Sequence, residues 1–146
     1  MSKLITTHLT IDGPVDQVWQ TLTDLDRYAD WNPFITTGTG VVDVGQRLTL
    51  RLQPPGGRAM TFTPWVSAVE NHRYLEWIGR LGMPGLLDGR HSFSLTPLPG
   101  RRTLLQQSET FTGMLVPFAG SILTRTRAGF EAMNQALAQK ILQLPS

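Results

Sequence analysis

The stretch Val18-Trp19-Gln20-Thr21-Leu22-Thr23-Asp24, followed by Tyr28 and then Trp31-Asn32-Pro33-Phe34, decides how this 146-residue chain is read. Val15, Val18, Trp19 and Leu22 recur at helical spacing and form one apolar stripe. Just upstream, Asp12-Gly13-Pro14 offers a helix start, with Pro14 suited to the first helical position and Asp16 acidic in the first turn. A second short turn carries Tyr28 and Trp31 as an aromatic plug. The residue before a proline is pushed toward extended geometry, so the helical region ends at Asn32-Pro33.

Outward from this segment the chain is mostly β-type. Before it, Leu4 to Ile11 alternates, with Ile5, Thr7, Leu9 and Ile11 on one face and Thr6, His8 and Thr10 on the other. After it, turn punctuation at Gly38-Thr39-Gly40, Asp43-Val44-Gly45, Pro54-Pro55-Gly56-Gly57, Asn71-His72 and Pro97-Leu98-Pro99-Gly100 separates strands near 35–42, 46–53, 59–69, 73–80, 89–97 and 102–111. Pro64 inside the 59–69 strand implies a bulge or an edge there. From about Gly120 to Leu142 the period becomes helical, with Ile122, Thr126, Phe130 (or Gly129), Met133, Leu137 and Ile141 on one face. At about 1.5 Å per residue such a helix crosses a whole small sheet. The order of strand, two short helices, six strands and long helix predicts an α+β architecture in one domain, 1–146. A strongly curved seven-stranded antiparallel sheet wraps around the C-terminal helix and leaves space between them.

Composition narrows the function classes. The chain is 40% hydrophobic and 16% charged, with a formal charge of +2 from scattered cations and no basic run, so nucleic acid is not an expected partner. Without cysteine there is no disulfide, thiolate catalysis or Cys-ligated zinc. His8, His72 and His91 fall on unlike faces, and no Walker loop, dinucleotide fingerprint or Gly-x-Ser-x-Gly elbow occurs. Neither a metal nor a cofactor is expected. The most apolar stretch, Met114 to Leu123, is short and broken by Pro117 and Gly120, and the first residues lack a secretory apolar run. The expectation is a cytoplasmic protein, monomeric or homodimeric, that does not span a membrane.

The chain resembles the START-like (SRPBCC, helix-grip) superfamily, and within it the small bacterial polyketide cyclase/dehydrase-like domains. The resemblance is carried by Val18-Trp19, Leu22, Asp24, Tyr28 and Trp31-Asn32-Pro33. Further along it rests on Leu75-x-Trp77-x-Gly79, Gly89-x-His91-x-Phe93-x-Leu95, Thr103, Gln107-x-Glu109-x-Phe111-x-Gly113 and Gly129-Phe130-Glu131. It implies a helix-grip fold with a deep, mainly apolar cavity for lipids, polyketides or other hydrophobic small molecules. It does not imply one activity, since similar members bind, transport, cyclise or contact other proteins.

Strand alternation supplies the candidate chemistry. His91 shares a face with Phe93 and Leu95, and Gln107 and Glu109 share a face with Leu105 and Phe111, so polar groups stand on the concave, apolar side of neighbouring strands. His91 lies opposite either Gln107 or Glu109. A carboxylate there must find a partner or keep its proton. Three readings stay open: a polar anchor for a ligand, a mutually satisfied pair that fixes strand register, or an acid/base pair for enolisation, aldol cyclisation or dehydration. Trp31, Phe34, Trp77, Phe93, Phe130 and Met133 are the expected apolar walls. Asn32 either donates into the cavity mouth or is a turn residue, and the apolar, glycine-rich stretch Gly79–Gly89 reads as a portal flap or a surface loop capping the core.

The expected function is therefore binding, transport or sequestration of a hydrophobic small molecule, with His91, Glu109 and Gln107 as polar anchors. One alternative is a metal-free cyclase, aromatase or dehydratase using His91 and Glu109. Another is a protein-interaction domain of the co-chaperone type, which requires an exposed apolar patch that the Ser-, Thr- and Arg-rich outward strand faces do not offer.

Overall fold

A computed structural model describes residues 2–145. Strand β1 (Ser2–Ile11) leads to helix α1 (Val15–Thr23), a single 3-10 turn at Leu25–Arg27 and the short helix α2 (Tyr28–Trp31). The strands β2 (Ile35–Thr39), β3 (Thr49–Leu52), β4 (Met60–Phe62), β5 (Trp65–Glu70), β6 (Tyr74–Leu81), β7 (Leu87–Leu98) and β8 (Arg102–Thr112) follow. Helix α3 (Gly120–Leu142) closes the chain with the bounds its periodicity predicts.

Among the described residues there are eight strands rather than the seven expected, because Pro64 splits the 59–69 segment. One sheet runs β1-β8-β7-β6-β5 and the other β2-β3-β4. The approach to β3 bridges them: Leu48 N–H donates to the Pro64 carbonyl at 2.9 Å and Val66 N–H to the Gln46 carbonyl at 2.9 Å, beside an Arg47–Trp65 bridge. Proline offers no N–H to the ladder, so the strand breaks at Pro64 and the chain passes there from one sheet to the other. The 79–89 stretch also differs from expectation. Gly79–Leu81 extends β6 and Leu87–Gly89 opens β7, leaving only residues 82–86 as a turn.

The quoted opening segment does its work through Asn32 and Phe34. Val18, Trp19 and Leu22 are buried as the stripe requires, and the Tyr28 hydroxyl donates to the Leu22 carbonyl, pinning α2 under α1. Asn32 Oδ1 accepts the Phe34 and Ile35 amides at 3.0 and 2.9 Å, so Asn32 is the turn residue that aims the chain into β2. Phe34 is thereby delivered to α3, edge-on to Phe130 with ring centroids 5.8 Å apart and directly over Gly129. Gly129, Phe130, Met133, Asn134, Leu137 and Ile141 are the buried positions of α3, so its C-terminal two-thirds grip the concave sheet.

A glycine inside a helix is normally about 1 kcal/mol worse than alanine. Here a Cβ would overlap the Phe34 ring. Gly129→Ala is therefore expected to destabilise by roughly 1–3 kcal/mol, the usual range for overpacking, measured as a lowered urea midpoint at unchanged slope.

Candidate functional site

The register across β6, β7, β8 and β1 stacks side chains into rows on the concave face. One row is Trp77, His91, Glu109 and Ile5; the next is Leu75, Phe93, Gln107 and Thr7; a third pairs Gly79 with Gly89 and then Phe111. The two facing glycines let the side chains that border the hollow lie flat on the sheet: a Cβ on Gly79 would strike the Phe62 ring, and one on Gly89 would strike the Glu109 carboxyl. The cavity of about 310 Å³ lies between the sheet and the N-terminal third of α3, whose Ile122, Arg125 and Thr126 form one wall. Its lining is predominantly apolar, with His91 and Glu109 as the polar groups at the inner end and Arg58 and Arg125 at the outer one.

Of the residues expected to meet a ligand, Phe34, Trp77, His91 and Glu109 line this cavity. Phe93, Phe130, Gln107 and Met133 stand behind that layer, each no more than 1% exposed. Phe93 and Phe130 clasp the His91 ring, both at 4.7 Å between centroids, while Trp77 covers it at 5.0 Å. Trp31 is away from the lining, edge-on to Tyr28 at 5.2 Å, with its indole N–H buried and unpartnered. Among the described residues no group of three His, Cys, Asp or Glu is placed to hold a metal ion.

His91 is directly opposite Glu109 in the ladder, yet its hydrogen bond runs diagonally to Gln107, Nε2 to Oε1 at 2.9 Å. Behind Gln107 the contacts continue into α3 and β1 through Asn134 and Thr7, two buried residues that pattern reading does not single out. The signal for Asn134 is its place in the apolar stripe of α3, four residues after Phe130; for Thr7 it is the inward alternation of β1.

The polarity of this network is fixed from one end. The Gln107 backbone carbonyl can only accept, so Thr7 Oγ1 donates to it at 3.0 Å. Thr7 then accepts from Asn134 Nδ2 at 2.9 Å, which turns Asn134 Oδ1 toward the Gln107 Nε2 donor at 2.7 Å. Gln107 Oε1 is left facing the imidazole, and His91 must carry its proton on Nε2. Its Nδ1 lone pair points toward Glu109 Oε1, 3.8 Å away.

That separation is close enough for an ion pair, but burial opposes both charges. It pushes His91 down to about 4, against the hydrogen bond donated to Gln107 Oε1 that favours the charged ring, and pushes Glu109 up to about 8. At neutral pH the site holds a neutral imidazole beside an un-ionised carboxyl. The carboxyl makes no hydrogen bond to another side chain among the described residues, so its O–H is free to turn into the cavity.

Two measurements test this geometry. Nitrogen chemical shifts of His91 at neutral pH should report the Nε2–H tautomer, and Asn134→Leu, which frees the Gln107 amide to rotate, should yield a mixture of tautomers. The second concerns stability against pH. Unfolded, Glu109 titrates near 4.5 and His91 near 6.5; folded, they move to about 8 and about 4. Between pH 4.5 and 6.5 each state holds one proton on the pair, so the pair contributes no slope. Above 6.5 the unfolded histidine loses its proton while folded Glu109 keeps its own until about 8, and stability falls as pH rises. Below 4.5 it falls as pH drops toward about 4. Glu109→Gln should remove the alkaline fall, about 2 kcal/mol at roughly 1.4 kcal/mol per pH unit, seen by urea unfolding of both proteins across that range.

The same architecture occurs in solved structures of low sequence identity. A START superfamily protein from Mycobacterium smegmatis is 18% identical, with a TM-score of 0.79 over 97% of this chain and 99% of that one. The Zhui aromatase/cyclase from Streptomyces sp. R1128 is 17% identical, with a TM-score of 0.77 over 98% and 95%. Norcoclaurine synthase from Thalictrum flavum, in complex with dopamine and hydroxybenzaldehyde, is 16% identical, with a TM-score of 0.76 over 100% and 90%. At these identities the likeness is one of fold, which hosts more than one chemistry. No curated protein matches the chain in sequence. Residues 3–142 match the family described as polyketide cyclase / dehydrase and lipid transport, and the chain belongs to that family.

Proposed function

We propose that the protein binds a hydrophobic small molecule in the cavity between the sheet and the N-terminal third of α3, holding one uncharged oxygen of the ligand at His91 and Glu109. The observation that carries this reading is the Glu109 carboxyl, 3.8 Å from His91 Nδ1 and without a side-chain hydrogen bond among the described residues, on the inner wall of a predominantly apolar hollow; burial favours its un-ionised form. A protonated carboxyl offers a donor to a carbonyl or phenolic oxygen, and His91 Nδ1 offers an acceptor to a hydroxyl. A charged head group has no place at that inner end, where desolvation already suppresses both charges. At about 310 Å³ the space falls at the small end of the ~300–1,000 Å³ typical of ligand pockets.

The pair also favours a second reading, acid/base chemistry on a bound polyketide, in which Glu109 protonates a carbonyl oxygen as His91 Nδ1 accepts a proton from the neighbouring carbon. An acid and a base side by side are what enolisation asks for. Yet an imidazole whose conjugate acid titrates at about 4 is a weak base at neutral pH, and binding remains the better supported function.

A naphthol and naphthalene separate the polar anchor from the apolar walls. Wild-type protein should bind both saturably, read by quenching of Trp77. Glu109→Leu should weaken the naphthol about tenfold, the usual worth of a buried hydrogen bond, while leaving naphthalene within about twofold. Absence of saturable binding of either probe overturns the reading. Cyclisation of a poly-β-ketone thioester by wild-type protein, lost in both His91→Phe and Glu109→Gln, would establish the second.

A further inference from the structure

Large apolar side chains are left exposed around the mouth of the cavity. Met83 on the β6–β7 turn is 71% exposed, and Met114 and Phe118 on the β8–α3 connection are 76% and 83% exposed. The two segments form one ledge, because the Met114 and Leu115 amides donate to the Gly85 and Leu86 carbonyls at 3.0 and 2.9 Å. The ledge runs into the cavity's own rim at Ile122, itself exposed. It is built from turns, which is why the polar outward faces of the strands give no hint of it.

Charge around this ledge is one-sided. No Asp or Glu occurs in 44–69, 77–87 or 110–126, segments that supply most of the cavity's lining, whereas these carry Arg47, Arg51, Arg58, Arg80 and Arg125. Arg58 and Arg125 line the opening. Two carboxyls adjoin these segments: Asp88, 3.8 Å from Arg80, and Glu109 inside the cavity, which burial keeps un-ionised; Arg58 and Arg125 have no such neighbour in an ion pair among the described residues. Flexible methionines and a phenylalanine projecting from turns, flanked by arginines, match what an interfacial membrane anchor needs: apolar depth and attraction to phosphates. Methionine, phenylalanine and arginine also occur at protein interfaces, but the anchors that dominate binding there are most often Tyr and Trp. Neither is present on the ledge. No helix among the described residues is long and apolar enough to cross a membrane, so the contact is peripheral.

We propose that the ledge formed by Met83, Met114 and Phe118 docks on an anionic lipid bilayer, with Arg58 and Arg125 at the lipid phosphates, so that the cavity exchanges its ligand with the membrane without exposing it to water. The exchange rests on the hydrophobic-ligand reading above; the docking rests on the ledge alone. A hydrophobic ligand leaving a bilayer loses its apolar surroundings unless the receiving pocket opens inside them. Placing the mouth within the docked surface removes that barrier.

Co-sedimentation of the full chain with phosphatidylcholine vesicles, with and without phosphatidylglycerol, tests the docking. Wild-type protein should bind the anionic vesicles more tightly and be released by salt. Phe118→Ser and Met114→Ser should each weaken binding roughly tenfold or more, as expected for withdrawing a buried apolar side chain. Arg58→Gln should weaken it about fivefold, on anionic vesicles only. Leu142→Ser, which removes an exposed apolar side chain at the far end of α3, should change nothing. The proposal is overturned by no binding to anionic vesicles, or by binding that Phe118→Ser and Met114→Ser leave intact. It is equally overturned if wild-type protein buries the ledge by self-association that Phe118→Ser abolishes. Naphthol binding in solution, expected unchanged in Phe118→Ser, keeps the two readings apart. Its loss in wild type with vesicle binding intact overturns the cavity reading alone, and the reverse result overturns docking alone.

Discussion

Helix α3 is packed against the sheet along only part of its length, and the rest of the molecule depends on that. From Gly129 onward its buried face meets the concave strands, and Phe34 wedges over Gly129 where any side chain would collide. Before Gly129 the same face, through Ile122 and Thr126, borders empty space instead. A tightly packed far end holds the near end away from the sheet, because interiors at crystal-like density transmit a displacement rather than absorbing it. On the sheet side the paired glycines of β6 and β7 make room for the Phe62 ring and the Glu109 carboxyl, two of the groups that border the same gap. Cavity and core are thus two halves of one helix–sheet contact.

The packed half also sets the chemistry of the open half. Thr7 and Asn134 belong to the gripped region, yet through Gln107 they decide which nitrogen of His91 carries the proton. Each amide in the series has its orientation forced by the one before it, and the first is forced by a backbone carbonyl that cannot donate. The aromatic clasp of Trp77, Phe93 and Phe130 keeps the ring in place and dry. Dryness then suppresses the charge on both His91 and Glu109.

Local pattern was enough to read the architecture. The Val18–Phe34 segment, the turn punctuation and the helical period after Gly120 depend on neighbours in sequence, and the elements form in the order read, with β2 and β3 shorter than the 35–42 and 46–53 expected. Strand alternation likewise placed His91, Gln107 and Glu109 on the inner face and left only the register open. What local pattern does not contain is depth. Phe93, Phe130 and Met133 share a face with Trp77 or Ile122 but lie behind the cavity wall, a distinction made by how closely α3 approaches each row. Pro64 signals an irregularity in the 59–69 strand, but the full split there and the short 82–86 turn lie outside local pattern for a related reason: whether a strand continues is settled by its partner, here the 45–48 segment and the facing residues of β7. Asn134 and Thr7 were passed over because a lone polar residue in an apolar stripe acquires meaning only from what crosses to it.

The arrangement at Glu109 weighs against a purely structural role for the pair. A buried polar pair that merely fixed register would satisfy itself, since an unmet donor in an apolar setting costs about 1–3 kcal/mol. His91 meets that standard through Nε2, with Gln107 fully buried beneath it. Glu109 does not: its carboxyl stops 3.8 Å short of Nδ1 and turns over Gly89 toward the hollow. A leucine at that position would fill the row without the penalty of desolvating an acid. Burial alone keeps the proton on Glu109, and the conformation leaves that proton facing the hollow rather than a partner within the fold.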